Sequence, residues 1–300
     1  MTGGRAVRLF HGLSSKMHMW LTKQPHVKEE SLTDWLLFEL SENCDFIRYY
    51  AFTRNEESLI GADWDWWVLT NTNAYRFRVQ AKKLRPNKNN WASFSYGNKN
   101  DIQIDLLLES ARQDSAFPLY MLYSTSLPNV KKQLENYKKP ILQEMIKWCG
   151  GCPCASFISP AETIYDMIFG EGKKEIYDEP LLNTSIKLCS FDYFHDSVST
   201  NEAMKRINEC LELLNALHSM KKSSNSTKGH EPTGFKYDYR TQWGNSRNKR
   251  EIPNWLDGII REQNAFSHSE IPMWFEGEFK RELPNTLGFG IVDLRDGKNL

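Results

Sequence analysis

Two short stretches facing each other across a polar gap constrain this chain more than any other feature. The first is Gly61-Ala62-Asp63-Trp64-Asp65-Trp66-Trp67-Val68, and the second is Tyr75-Arg76-Phe77-Arg78-Val79-Gln80-Ala81-Lys82. Both alternate apolar and polar residues, the period of a β-strand with two distinct faces. With Asn71-Thr72-Asn73-Ala74 as the turn, they form a hairpin. Asp63 then lies opposite Lys82, Asp65 opposite Gln80 and Trp67 opposite Arg78, all on one face. Trp64 with Ala81, Trp66 with Val79, and Val68 with Phe77 form an apolar face directed into a core.

A face that gathers carboxylates on one strand and an amide and a lysine on the other suits a divalent cation. Mg²⁺ takes oxygen ligands from one or two carboxylates, an amide or a backbone carbonyl, and substrate phosphates. An adjacent ammonium then orients a water or balances charge on phosphate. Ordinary cross-strand ion pairs on an exposed hairpin would explain the same residues.

Upstream, Glu29 to Leu40 reads as an amphipathic helix, with Leu32, Leu36, Leu37 and Leu40 on one arc. At about 100° per residue the arc is centred near Glu29, with Glu30 at its edge. Either could be the helix acid, and Glu29 faces the core side more directly. A first-turn glutamate also gains from the helix N-terminus, which would explain it without a metal.

Helix-borne Glu29, the strand segment Gly61-Ala62-Asp63 and the returning Gln80-Ala81-Lys82 resemble the active-site order of the PD-(D/E)xK, or restriction-endonuclease-like, nucleases, with glutamine in place of the usual third acid. QxK variants occur in that superfamily. The resemblance spans about residues 25 to 125. It takes in a following helix over 101–111 and a strand over 118–124, and so implies an αβββαβ core with a mixed central sheet. More narrowly, the chain is similar to an uncharacterised bacterial group of restriction-endonuclease-like proteins, some thought to serve in anti-phage defence. The resemblance implies a Mg²⁺- or Mn²⁺-dependent endonuclease, hydrolysing DNA phosphodiester bonds by metal-activated water attack, with double-stranded DNA as partner. Asp63 would be the principal metal ligand and Asp65 an auxiliary acid. Gln80 and the Ala81 carbonyl would be neutral ligands, Lys82 the positioned cation, and Glu29 a ligand of a second metal or its water shell. The competing expectation is a non-catalytic nucleic-acid or protein-binding module with a degenerate nuclease fold.

Composition narrows the partners. Lys plus Arg and Asp plus Glu both number 38, so no global basic field draws the chain to nucleic acid. Phosphate binding must be local. Lys82, Lys83, Arg85 and Lys88, with Arg76 and Arg78 before them and Trp91, Phe94 and Tyr96 after them, are the best candidates. No apolar stretch is long enough to span a bilayer, and residues 1–10 lack a signal-peptide run. A cytoplasmic protein without a membrane partner is the expectation, and either a homo-oligomer or a regulatory partner protein is compatible with it. The 6 cysteines fit a reducing compartment. Cys149, Cys152 and Cys154 would need Cys189 or His195 to complete a tetrahedral zinc site, and C-x-x-C-x-C lacks a second knuckle. We read them as small buried thiols in a Gly-rich turn. The Gly170-x-Gly172-Lys173 and Gly288-x-Gly290 segments lack phosphate-loop spacing.

The expected organisation is an N-terminal extension (1–24), a nuclease core (25–170), and a largely helical, loop-rich C-terminal extension (171–300) that completes the fold or binds partners. Helices are expected over 129–148, 159–169 and 201–219, linker composition over 221–229, a basic and aromatic run over 240–250, and a strand over 287–294.

Overall fold

The computed structural model describes residues 9–43, 47–51, 61–69, 74–85, 88, 94, 97–98, 101–114, 116–136, 140–170, 177–190 and 288–293. Its centre is a seven-stranded mixed sheet. The strands are β1 (Ile47–Ala51), β2 (Trp64–Leu69), β3 (Ala74–Lys83), β6 (Phe117–Tyr123), β7 (Ser156–Pro160), β8 (Ile186–Lys187) and β9 (Gly288–Asp293), and the short β4 (Gly97–Asn98) and β5 (Asp101–Ile102) pair separately. The order across the sheet is β1-β9-β2-β3-β6-β7-β8. β9 runs parallel to β2 and β3 runs parallel to β6, while the remaining neighbours are antiparallel.

Among the described residues seven α-helices accompany the sheet: α1 (Leu9–Lys23), α2 (Glu29–Asn43), α3 (Gln103–Gln113), α4 (Val130–Asn136), α5 (Pro140–Cys149), α6 (Ala161–Tyr165) and α7 (Asp178–Leu182). In chain order α2, β1, β2 and β3 are followed by the short β4 and β5, then by α3 and β6. The parallel pairing of β3 with β6 requires a crossover, and α3 provides it.

β6 shows how the layers are sorted. Leu119, Met121 and Tyr123 pack with α1 and α2 through Leu13, Met17, Leu32, Leu36 and Leu40. Tyr120 and Leu122 point to the opposite layer, where Ile104, Leu107 and Leu108 of α3 meet Ala161, Ile164, Leu181 and Leu182. Period-two alternation in a strand that is buried along its whole length therefore feeds two cores at once.

The β2–β3 hairpin keeps the expected faces but not the expected register. Trp64 pairs with Val79, Asp65 with Arg78, Trp66 with Phe77, Trp67 with Arg76 and Leu69 with Ala74, a slip of two residues from the sequence reading. An even slip leaves every side chain on its own face and changes only its partner. The physical reason is charge. Asp65 is fully buried, and the shifted register sets it beside Arg76 and Arg78 instead of neutral Gln80. The polar face is also not on the surface. Asp65, Trp67, Arg76, Arg78 and Gln80 are all buried, because the layer containing α3 covers them.

The span expected as one helix over 129–148 holds α4 and α5, with Pro140 in the first turn of α5. Pro160 ends β7 and caps α6, which passes into a π-helical turn, Asp166–Gly170. The N-terminal segment contains α1, packed on α2 through Trp20 and Trp35, whose rings meet edge to face at 5.9 Å. The expectations for 201–219, 221–229 and 240–250 lie outside the described residues. The last strand lies within the sheet, between β1 and β2, so part of the expected C-terminal extension completes the central layer.

Gly290 explains the Gly-x-Gly of that strand. A Cβ at this position would stand 2.2 Å from Cε3 of Trp66, so the indole lies flat against bare backbone. Gly290→Ala is expected to cost about 1–3 kcal/mol in urea denaturation. Most of that cost should disappear when Trp66→Ala is introduced with it. An equal cost in both backgrounds would place the conflict elsewhere.

Candidate active site

Asp63 stands just before β2, and the backbone there is shaped by Gly61. Gly61 has φ +70, and a Cβ would come within 2.5 Å of the Gln103 carbonyl and 2.7 Å of the Leu107 amide. Only glycine allows the chain to turn in the left-handed region that close to α3. The Asp63 amide then donates to the Val79 carbonyl at 2.9 Å, fixing the carboxylate beside β3. Asp63 Oδ2 accepts from the Ala81 amide at 2.8 Å and from Gln80 Nε2 at 2.7 Å.

Gln80 organises the oxygens around it. Its Nε2 donates both to Asp63 Oδ2 and, at 3.0 Å, to the Ala81 carbonyl, while its Oε1 accepts from Gln103 Nε2 at 3.0 Å. A carboxylate oxygen and a carbonyl oxygen thus converge on one small electropositive group. Gln103 Oε1 and the Tyr120 hydroxyl nearby are buried without hydrogen-bond partners among the described residues. Orphaned acceptors of this kind mark a network with an alternative pairing. If the Gln80 amide turns over, its oxygen faces Asp63 and its nitrogen faces Gln103, an exchange that a cation beside Asp63 would favour.

Glu29, the first residue of α2, reaches the same region. Its Oε2 accepts from the Lys83 amide at 2.5 Å, and its Oε1 lies 3.8 Å from Lys82 Nζ. Lys83 fastens the approach to α2 by donating from Nζ to the carbonyls of Pro25 and Val27, each at 2.6 Å. Burial raises the Glu29 carboxyl from the ordinary 4.5 to about 7; Lys82 opposes the rise and Asp63 adds to it. Asp63 is also raised, by burial first, against the Ala81 amide, Lys82 and Gln80. The Tyr120 phenol is driven far up by burial and by both acids, so it remains a proton donor. Two reluctant carboxylates and one lysine, carried by α2, the residue entering β2 and β3, meet at the end of β3.

Asp65 does not join them. Its Oδ2 accepts from Arg76 Nε at 2.9 Å and Arg78 Nη2 at 3.2 Å, and its Oδ1 accepts from Arg78 Nε at 3.1 Å. Arg78 Nη2 also reaches Asp114 at 2.7 Å. Burial would raise the Asp65 carboxyl, but Arg76 and Arg78 outweigh it and hold it low. The auxiliary acid expected to face Gln80 is therefore an ion-pair centre binding β2, β3 and the end of α3. Arg76 and Arg78 are consumed in the same network, and Phe94 is buried edge-on to Tyr120 at 5.2 Å, so none of the three is on a surface for phosphate or base stacking. Arg85 and Lys88 are exposed, whereas Trp91 and Tyr96 lie outside the described residues. His195 lies outside them as well.

Among the described residues, no three His, Cys, Asp or Glu side chains form a ready-made cage for an ion. The oxygen set at Asp63 still fits one: a carboxylate and a carbonyl side by side, an amide able to present oxygen, and a second carboxylate near Lys82 suit a cation completed by substrate phosphate. Sequence reasoning missed Gln103 and Tyr120, because nothing in their local pattern says which strand residue they meet.

The fold is α/β, with a seven-stranded mixed open sheet. The chain belongs to a family of unknown function (DUF6615), whose model matches residues 6–175. No curated protein and no solved structure matches it. None of the described helices is long and apolar enough to cross a membrane.

The raised Glu29 carboxyl has a consequence for stability. Between about 4.5 and about 7 the folded chain holds a proton that the unfolded chain has released, so stability falls as the pH rises through this window. Thermal denaturation across that range should show a falling Tm, with a smaller fall in Glu29→Gln. Parallel curves for the two proteins would remove Glu29 as the cause.

Proposed function

We propose that this chain is a metal-dependent nuclease that hydrolyses DNA phosphodiester bonds. The observation that carries the reading is the meeting of Glu29, Asp63 and Lys82 at the end of β3, with Gln80 and the Ala81 carbonyl beside them. The order of α2, β1, β2, β3, α3 and β6 supports placing it with the restriction-endonuclease-like nucleases.

Asp63, the Ala81 carbonyl and Gln80 would hold Mg²⁺, and Glu29 would hold a second ion or its water shell. Such an ion supplies a Lewis acid for phosphoryl oxygens and lowers the pKa of the attacking water. Lys82, 13% exposed in its side chain, brings positive charge to the place where negative charge develops on phosphate. Arg85 and Lys88 supply exposed cations for the DNA backbone next to it. Asp65 is removed from the ligand set, since its oxygens already serve two arginines. Work in a bacterial cytoplasm against phage DNA is part of the proposal and rests on the resemblance alone.

A specific observation favours a second reading. Asp63 Oδ2 already has two donors and Glu29 Oε2 accepts a backbone amide, as they would in a non-catalytic binding module. Plasmid cleavage separates the two. The wild type should cut with Mg²⁺ or Mn²⁺ and stop with EDTA. Asp63→Asn and Lys82→Ala should each lower the rate by about 100-fold or more, with Tm changed by only a few degrees. Metal-independent binding without cleavage would favour the module.

Gln80→Glu tests the oxygen set directly. It adds a carboxylate beside Asp63 and should tighten Mg²⁺ binding in calorimetry without DNA, by about tenfold. Equal affinities would mean that residue 80 does not face the ion.

A further inference from the structure

The cysteines form a second constellation, in a part of the fold that DNA cleavage does not use. Cys149 ends α5, Cys152 and Cys154 follow in the turn leading to β7, and Cys189 arrives from the segment after β8. All four are buried free thiols, packed as one cluster against Phe10 of α1. Cys189 packs with the other three in that cluster. The sequence motif lacked a fourth partner, and the fold delivers one.

The polar surroundings suit anionic sulfur. Ser190 Oγ lies 2.8 Å from Cys149 Sγ, and His11 Nε2 lies 3.5 Å from Cys152 Sγ. Lys187, only 3% exposed, donates from Nζ to the carbonyls of Cys149 at 2.9 Å, and of Gly150 and Cys152 at 3.1 Å each. Among the described residues no carboxylate forms a salt bridge with it. A buried ammonium whose partners are all neutral carbonyls is costly, and it calls for an anion close by. Among the described residues, the groups packed around this turn that can become anions in number are the thiols.

We propose that Cys149, Cys152, Cys154 and Cys189 bind one zinc ion through their sulfurs. Four thiolates around Zn²⁺ leave a net negative charge, which Lys187 offsets from beneath the turn. Soft sulfur ligands select zinc, copper(I) or iron–sulfur clusters. Thiols packed into one small buried cluster leave room for a single ion rather than an iron–sulfur cluster. Among the described residues no three such side chains stand ready around an ion, so the sulfurs must turn toward it on binding. Each S–H proton goes to solvent as its S–Zn bond forms, with no change of oxidation state. Rotation about the Cα–Cβ bonds then sets the sulfurs at tetrahedral corners, with Zn–S distances of about 2.3 Å. The ion would join α5, the turn into β7, and the segment after β8.

The test uses the full chain purified under reducing conditions without chelator. Elemental analysis should find about one zinc per chain, with no iron or acid-labile sulfide, and a mercurial reagent should release it stoichiometrically. Cobalt(II) in its place should give thiolate-to-metal charge-transfer absorption. Cys152→Ser and Cys189→Ser should each lower bound zinc by about tenfold or more, whereas Asp63→Asn should retain it, which separates this site from the one at β3. Where a cysteine variant does not fold, the wild-type release and cobalt spectrum decide. Wild-type protein that takes up less than about a tenth of an equivalent after zinc addition, or that contains iron with labile sulfide, overturns the proposal.

Discussion

The cost of burying charge in a sheet covered on both faces governs this fold. Asp65 lies at the centre of that sheet with no solvent exposure, and an isolated carboxylate there would not remain ionised. Arg76 and Arg78 make its position tenable, and Asp114 at the end of α3 shares their excess charge. The network determines which residues of β2 and β3 face each other and where α3 crosses them. Gln80 and Asp63 then fall opposite each other as a consequence. The site at the end of β3 therefore depends on a salt-bridge network that takes no part in its chemistry.

The two acid clusters on one hairpin face have been given opposite electrostatic treatment. Asp65 has two guanidinium groups and is held low. Asp63 and Glu29 share one lysine and a few amides, and both are raised. Groups whose environments push their protonation in opposite directions often separate structure from function. Asp63 and Asp65, at opposite ends of this contrast, are only two residues apart in the chain.

Much of this was legible in the sequence because it depended on periodicity. Strict alternation assigned the faces of β2 and β3, and the leucine spacing of α2 placed Glu29 toward the sheet. Pairing was less legible. The register depends on a turn and on buried charges that alternation does not weigh, so Asp65 was matched with Gln80 when it meets Arg78. Long-range encounters left no local trace at all. Gln103 meeting Gln80 is a product of topology, and topology also decides that Cys189, one of two candidates named from the sequence, packs with the three earlier cysteines. The strand over 287–294 was visible as a strand, but its place between β1 and β2 was not.

That placement bears on how the protein is made. β9 is near the end of the sequence yet sits inside the sheet, paired with β1 on one side and β2 on the other. Roughly 220 residues separate Trp66 from its partner Gly290, so the loop-closure entropy must be met before that pairing contributes anything. Until β9 arrives, β1 and β2 each present an unsatisfied edge to the cell, an invitation to strands from other chains. During synthesis the interval between the appearance of β2 and the release of β9 is therefore a period of exposure, and chaperone dependence would be decided there.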